Sequence, residues 1–390
     1  MLNVKVIGTG AAGNKAVIDL VSSYGFDPKD TTLINSTDRD IPEAYRKDAI
    51  IFGKNNKRHL GGCGKERSIG ISLFIDDLNH GRIDLQSLVD SDTNLVIVVS
   101  STEGGTGSAT APIIAKVISE TMHIPVIMVL FFGFNTDARG MQNSIEICQE
   151  IANKYGVIGI SNAKFLEEAN NNRSKAECLA NKEFCEIVKT LTGHGMVPSS
   201  QNIDRTDLFK LVATPGYMCI GSTNIKNAKN TNMINVSIKD AIDNSKLIDH
   251  SDKSVKRIGL IFDISEDMED DIDIGGTEFT KEYGIPYEMY THIQHTGSTP
   301  TIKWIAAGMN LPINAIKDIL NSYRERTSLI NKDKDSFFDT ISDWKSGIDN
   351  SFRDSMDMLD LGLPNIGSHN AHDDPMKQLM GHFDSEYAGV

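Results

Sequence analysis

The sequence predicts an α/β protein: a three-layer domain on a buried parallel sheet, followed by a second, mixed α/β domain. Three observations predict it. Through the first 160 residues, short continuous apolar runs alternate with stretches of helical spacing, the pattern of strands covered by helices on both faces. Two of the joints where such a run passes into a helix are rich in glycine. A charged helical stretch, closed by Pro198, then separates these signals from a second set.

Residues 4–7 are a short apolar strand ending at glycine. Residues 11–22 follow with Ala12, Ala16, Val17, Leu20 and Val21 at helical spacing. A second strand is expected over 31–34. The apolar run 95–99 leads to a helix over 109–119, the run 126–130 to an amphipathic helix over 141–152, and 157–160 closes the series. Residues 167–191 read as one or two long charged helices, broken by Pro198 and the polar run 199–202. Segments 206–212, 258–264, 287–292, 301–307 and 312–320 carry the helix and strand signals of the second domain. The acidic run 265–273 reads as a solvated loop. Past Leu320 the chain is charged and helix-prone to about residue 359. Residues 361–390 hold Asp373, Asp374, Asp384 and Glu386 against Lys377 with little apolar pattern, so a mobile tail is expected.

A chain of 390 residues suits two or three domains. Its net charge of −14 opposes direct contact with a phosphate backbone, which disfavours nucleic acid as a direct partner. The longest apolar run, 124–134, falls short of the ~20 residues that span a bilayer, and no membrane partner is expected. The opening MLNVKVIGTG reads as a strand entering a turn rather than a signal peptide. Five cysteines without a CxxC pair fit reduced thiols in a cytoplasm and give no zinc site.

Four motifs carry chemistry. Gly8-Thr9-Gly10-Ala11-Ala12-Gly13-Asn14 lies between a strand and a helix. Glycines there let the backbone approach a phosphate, and the helix N-terminus supplies N–H donors; the same string also fits a tight turn without a ligand. Glu103-Gly104-Gly105-Thr106-Gly107-Ser108 repeats the arrangement, with two hydroxyls added. Two such cradles on one sheet edge suit a ligand with several phosphates. Gly61-Gly62-Cys63-Gly64-Lys65 adds a loop and a cation, but Glu66 stands where a Walker A loop needs Ser or Thr. Asn202-Ile203-Asp204-Arg205-Thr206-Asp207 opens a helix. Asp204 and Asp207 share a face of its first turn, either as capping acids or as a pair that orients or deprotonates a water.

Gly104-Gly105-Thr106-Gly107-Ser108 resembles the glycine signature of the tubulin/FtsZ superfamily of GTPases. The order of the other motifs matches as well. Gly8, Thr9, Gly10, Ala11, Ala12 and Asn14 stand at the first phosphate loop, Asn35-Ser36-Thr37 at the second, and Gly64 with Lys65 in the third. Phe132-Gly133-Phe134-Asn135 with Arg139 resembles the ribose stretch, Asn162-Ala163-Lys164 the segment that meets the purine, and Asn202 to Asp207 the acidic loop NxDxxD. The nearest resemblance within the superfamily is to TubZ, the plasmid and phage tubulins, through Asn162-Ala163-Lys164, Thr214-Pro215-Gly216, the string from Gly61 to Arg67 and the stretch from Ile285 to Pro312. There are departures. Glu103 replaces the first glycine of the signature, Asn135 stands where FtsZ has a ribose-binding glutamate, and no membrane-adaptor peptide of the FtsZ kind is visible. Asn181 is the best match for a purine contact on the central helix.

The resemblance implies a nucleotide-binding GTPase domain over 1–172, a central helix over 173–197, a second (activation) domain over 198–320, a C-terminal helix over 321–360 and a flexible tail over 361–390. It implies GTP or GDP and Mg²⁺ as cofactors, with no direct protein ligation of the metal. The nucleotide is held by the loops named above, together with Glu103, Gly104, Gly105, Thr106, Gly107, Ser108, Asn135, Arg139, Asn162 and Asn181. Asp204 and Asp207 would act on the nucleotide of the next subunit in a head-to-tail filament. The partner is then the protein itself, with a possible DNA-binding adaptor. The work would be moving or partitioning plasmid or phage DNA in a bacterial or phage-infected cytoplasm, or positioning phage DNA in the host. Two alternatives remain open: a slow-turnover nucleotide-dependent scaffold, and a Rossmann-type NAD enzyme with Asp38 on the ribose, which leaves the motifs at Gly104 and Asp204 unexplained.

Overall fold

The computed structural model describes residues 2–342 except 58, 153, 200, 226–230, 267, 269–276 and 298. The expected tail over 361–390, the end of the C-terminal helix and most of the acidic run 265–273 lie outside the described residues. By contacts the chain divides into Met1–Tyr323 and Arg324–Val390.

The first half runs β1 (Val4–Thr9), α1 (Gly10–Tyr24), β2 (Thr31–Asn35), α2 (Glu43–Arg46), β3 (Ile50–Ile51), α3 (Arg67–Asn79), β4 (Leu95–Ser101), α4 (Gly107–Thr121), β5 (Val126–Phe132), α5 (Ala138–Ile151), β6 (Gly156–Ser161) and α6 (Arg173–Thr192), alternating as the sequence predicts except that α2, β3 and α3 fall where its patterns single out no element. The second half adds α7 (Arg205–Val212), β7 (Gly216–Asn224), α8 (Thr231–Asp243), β8 (Arg257–Asp263), α9 (Thr277–Tyr283), β9 (Glu288–Gln294), β10 (Thr301–Met309) and α10 (Ile313–Ser342). Residues 313–342 are therefore one helix, which runs through the boundary expected at 320.

The described strands form one ten-stranded sheet in the order β3-β2-β1-β4-β5-β6-β7-β10-β8-β9. From β3 to β6 all pairs are parallel. All of β5 and β6, and all of β4 but its last residue, are buried, which is why they read as unbroken apolar runs. β7 meets β6 over only two residue pairs and runs antiparallel to β10 from Tyr217 to Asn224. Sequence patterns single out no strand at β7, where glycines interrupt a short apolar run.

One proline shows how sequence and packing answer each other. Pro112 lies inside α4 and cannot donate to the carbonyl of Ser108. That carbonyl instead accepts from the Arg67 guanidinium at 3.1 Å. Arg67 is buried and ion-paired to Glu146 and Glu150, both at 2.8 Å, so α3, α4 and α5 are tied at one point. Burial also pushes the Cys148 thiol up to about 12, and it stays protonated and unreactive. Among the described residues no helix is long and apolar enough to cross a membrane.

Candidate nucleotide-binding site

Because β1, β2, β4, β5 and β6 are parallel, the segments that follow them leave the sheet on one edge, its carboxyl edge. There the structure brings together Gly8 to Asn14, Asn35-Ser36, Glu103 to Ser108, Asn135 with Arg139, and Asn162. This is the edge on which open α/β sheets hold ligands.

Two helices begin there with their N–H groups uncapped by side chains. Thr9 precedes α1 in extended conformation and Thr106 precedes α4, and neither side chain caps its own helix. The Thr9 hydroxyl is 2.5 Å from that of Thr110, and Thr106 is 2.9 Å from Ser36. The Ser108 hydroxyl donates to the Gly104 carbonyl. The two helix starts touch: Gly10 has φ +71, and a Cβ on it would lie 2.8 Å from the Gly107 nitrogen. Two uncapped helix N-termini in contact make one concentrated array of N–H donors, suited to an oligophosphate.

The third loop is bolted to the second by a residue that sequence reasoning missed. Asn143 on α5 is buried, and its amide donates to the Lys65 carbonyl at 2.9 Å and the Glu103 carbonyl at 3.0 Å. The signal was present: a polar side chain on the apolar face of an amphipathic helix. Lys65 itself, at φ +65, is ion-paired with Asp137, which caps α5 by accepting from the Gly140 N–H at 2.9 Å. Arg139 pairs with Glu66 at 3.0 Å. The Glu103 carboxylate turns to the loop after β5, where it accepts from the Asn135 N–H at 2.8 Å. Burial raises its pKa against the pull of that hydrogen bond and of Lys65. Glu103 thus joins its own glycine-rich loop to the loop after β5, and Asn135 holds φ +52 beside it.

Three of the site's asparagines leave a buried polar atom unpartnered: Asn14 Oδ1, Asn35 Nδ2 and Asn162 Oδ1. Asn14 spends its amide on the Ile34 carbonyl at 3.2 Å, and Asn35 its oxygen on the Ser36 N–H at 3.0 Å. Buried orphans are costly, and their convergence on one sheet edge points to a polar ligand. Asn181 is placed differently: its amide donates to Asp19 of α1 at 2.8 Å, joining α6 to α1. Among the described residues no three His, Cys, Asp or Glu side chains converge as a metal site.

The acidic motif lies on the other edge. Asp204 caps α7, accepting from the Asp207 N–H at 2.8 Å, and is exposed. Beside it, Arg205 donates to Asn94 at 2.7 Å, and the same Asn94 oxygen accepts from the Asn3 N–H at 3.0 Å. Asn3 and Asn94 immediately precede β1 and β4, so Asp204 belongs to the amino edge. Strands of six and seven residues put about 20 Å of sheet between it and the glycine loops.

Residues 3–170 match the model of the Tubulin/FtsZ family, GTPase domain. The cell division protein FtsZ of Mycoplasmopsis pulmonis is 27% identical over 223 residues, which are 56% of this chain and 55% of that protein. The chain spans about half the length of the curated relatives it matches. Among solved structures, a GTPγS-form protofilament of TubZ from Bacillus thuringiensis serovar israelensis aligns with a TM-score of 0.70 at 16% identity, covering 85% of this chain and 94% of that one. TubZ of Clostridium botulinum phage c-st aligns with a TM-score of 0.64 at 16% identity, covering 84% and 98%. The fold is theirs.

Proposed function

The N-terminal part of this chain, residues 3–170, belongs to the tubulin/FtsZ family, and from that premise we propose that the protein binds GTP, polymerises head to tail and hydrolyses the nucleotide at each subunit interface. The observation that carries this reading is the separation of the two motifs. Within one subunit the glycine loops and Asp204 lie at opposite edges of the sheet, so Asp204 cannot reach the nucleotide its own loops hold. It can reach that of a neighbour stacked edge to edge. Such a head-to-tail contact does not close and gives an open filament.

The roles follow from the chemistry of each group. The uncapped starts of α1 and α4, with Thr106 and Ser108, hold the phosphates. The orphan oxygens of Asn14 and Asn162 suit guanine, which offers ring N–H and amino donors, better than adenine. Mg²⁺ would be held through phosphate oxygens and water, and when bound it supplies charge neutralisation at the β- and γ-phosphates. Asp204 and Asp207 of the next subunit orient or deprotonate the attacking water, so turnover waits for assembly. The cargo we propose is plasmid or phage DNA, carried through a DNA-binding adaptor, since a chain of net charge −14 is a poor direct ligand for a phosphate backbone.

The test is assembly. Purified protein with Mg²⁺ and GTP should scatter light and sediment, with NAD and ATP much less effective. No assembly with GTP or a slowly hydrolysed analogue, across a range of protein concentrations, sinks the filament reading.

Thr106→Ala is expected to weaken GTP binding. It removes the neutral hydroxyl link to Ser36 and a hydroxyl from the phosphate array, where a hydrogen bond to an anionic phosphate oxygen contributes about 1.5–3 kcal/mol, or about tenfold or more in affinity. Unchanged affinity in a direct titration would make Gly104 to Ser108 a structural turn.

A further inference from the structure

The loop that precedes Asp204 is held by a chain of side chains, two of them buried, that no motif announces. His292 and Gln294 lie on β9, with 0% and 6% of their surface exposed. The Ile203 N–H, one residue before Asp204, donates to His292 Nδ1 at 3.4 Å. His292 Nε2 is then the protonated nitrogen and donates to Gln294 Oε1 at 3.1 Å. The same oxygen accepts from the Val197 N–H at 3.1 Å. The Gln294 amide donates to the Gly195 carbonyl at 3.2 Å and to Asp263 Oδ2 at 3.0 Å. Asp263 ends the chain, its other oxygen taking the N–H groups of Thr296 at 2.8 Å and Gly297 at 3.0 Å. One backbone bond runs alongside, from the Ile293 N–H to the Gln201 carbonyl at 3.0 Å.

Every direction in this chain is fixed by the next. The Asp263 carboxylate can only accept, which turns the Gln294 amide toward it. That leaves Gln294 Oε1 facing His292, and His292 must keep its proton on Nε2, leaving Nδ1 to accept from Ile203. A network satisfied in this way, with its His and Gln buried, specifies one geometry. Its ends contact residues 195, 197 and 203, the span that carries the chain from α6 to the Asp204 cap. Burying His and Gln on β9 is costly unless both are hydrogen-bonded, and here each is, to partners that include backbone groups of residues 195, 197 and 203.

We propose that His292 and Gln294 are positioning residues for hydrolysis: they set the place from which Asp204 meets the neighbouring subunit's nucleotide, without touching that nucleotide themselves. This rests on the interface reading above. Misplacing a reacting group by about 1 Å costs on the order of a hundredfold in rate, so a loose loop is felt in turnover before anything else.

The test measures GTP turnover under assembling conditions and GTP affinity of the unassembled subunit, side by side, for His292→Leu, Gln294→Met, His292→Asn and Asp204→Ala. His292→Leu and Gln294→Met should bind GTP within about twofold of the parent and turn it over about ten- to a hundredfold more slowly. His292→Asn, whose Oδ1 can stand in for Nδ1 toward the Ile203 N–H, should recover most of the loss. If His292→Leu does not fold, Gln294→Met and His292→Asn decide. Parental turnover in the folded Leu or Met variants overturns the proposal, and so does loss of GTP affinity in step with turnover, which would make the network merely structural. If only Asp204→Ala is slow, the interface reading survives and the positioning role fails. If Asp204→Ala turns over at the parental rate, the interface reading fails and the proposal falls with it.

Discussion

Asp204→Ala subunits are expected to bind GTP normally and to form filaments that persist, with turnover reduced about 10²–10⁴-fold. The expectation follows from the placement of Asp204 on the amino edge, about 20 Å of sheet away from the loops of its own subunit. Asp204 also caps α7, and losing a cap costs about 1 kcal/mol by itself. Asp204→Asn separates the two roles, because asparagine caps a helix as well as aspartate but has no carboxylate. It should restore the unfolding midpoint and leave turnover low. Mixing isolates action in trans: Asp204→Ala subunits have intact glycine loops, and Thr106→Ala subunits have an intact acidic motif. Co-assembled, they should regain part of the turnover at their shared interfaces. Parental turnover in Asp204→Ala would reduce the acidic pair to a helix cap.

Gly13→Ala is expected to be among the most damaging small substitutions in the chain. A Cβ at position 13 would sit 2.1 Å from the Val99 carbonyl oxygen and 3.0 Å from its carbon, both backbone atoms of the buried strand β4. Neither can rotate away, so α1 must lift off the sheet, costing about 3 kcal/mol or more. The lifted helix also carries Asn14 and the N–H groups of the phosphate array, so thermal stability and GTP affinity should fall together. Gly104→Ala is the control. A Cβ there meets nothing within 4 Å, and stability should stay within about 0.5 kcal/mol of the parent. A Gly13→Ala protein with the parental unfolding midpoint would show that α1 and β4 are not packed as described.

The candidate site was legible where its chemistry is local. Glycines at the end of an apolar run, followed by helical spacing, mark a strand-to-helix cradle without knowledge of any partner. Asn162 and Asn14 were reachable through their place in that order. Lys65 shows the limit. A lysine beside glycines reads as a phosphate ligand, and nothing local announces its ion pair with Asp137, 72 positions away. Glu103 reads as a change on the phosphate side, whereas its carboxylate is spent on the loop after β5. Asn143 and the pair His292 and Gln294 belong to no motif, because each acts on a backbone group far away in sequence. Within the fold, β7 escaped for a related reason: its place is set by pairing with β10, about 80 residues later, and not by its own alternation.

By itself the sequence determined the parallel strands β1, β2, β4, β5 and β6, the two glycine cradles on their carboxyl edge and the acidic turn that opens α7. Each is encoded by residues within a few positions of one another, through hydrophobic period, glycine's freedom or helix capping. Only the tertiary structure decided that the starts of α1 and α4 touch, that Arg67 takes the carbonyl Pro112 leaves open, and that Asp204 stands across the sheet from the loops. These depend on strand order and on hydrogen bonds between distant segments. A local pattern says that a polar group needs a partner, but only the folded chain says which partner comes within reach.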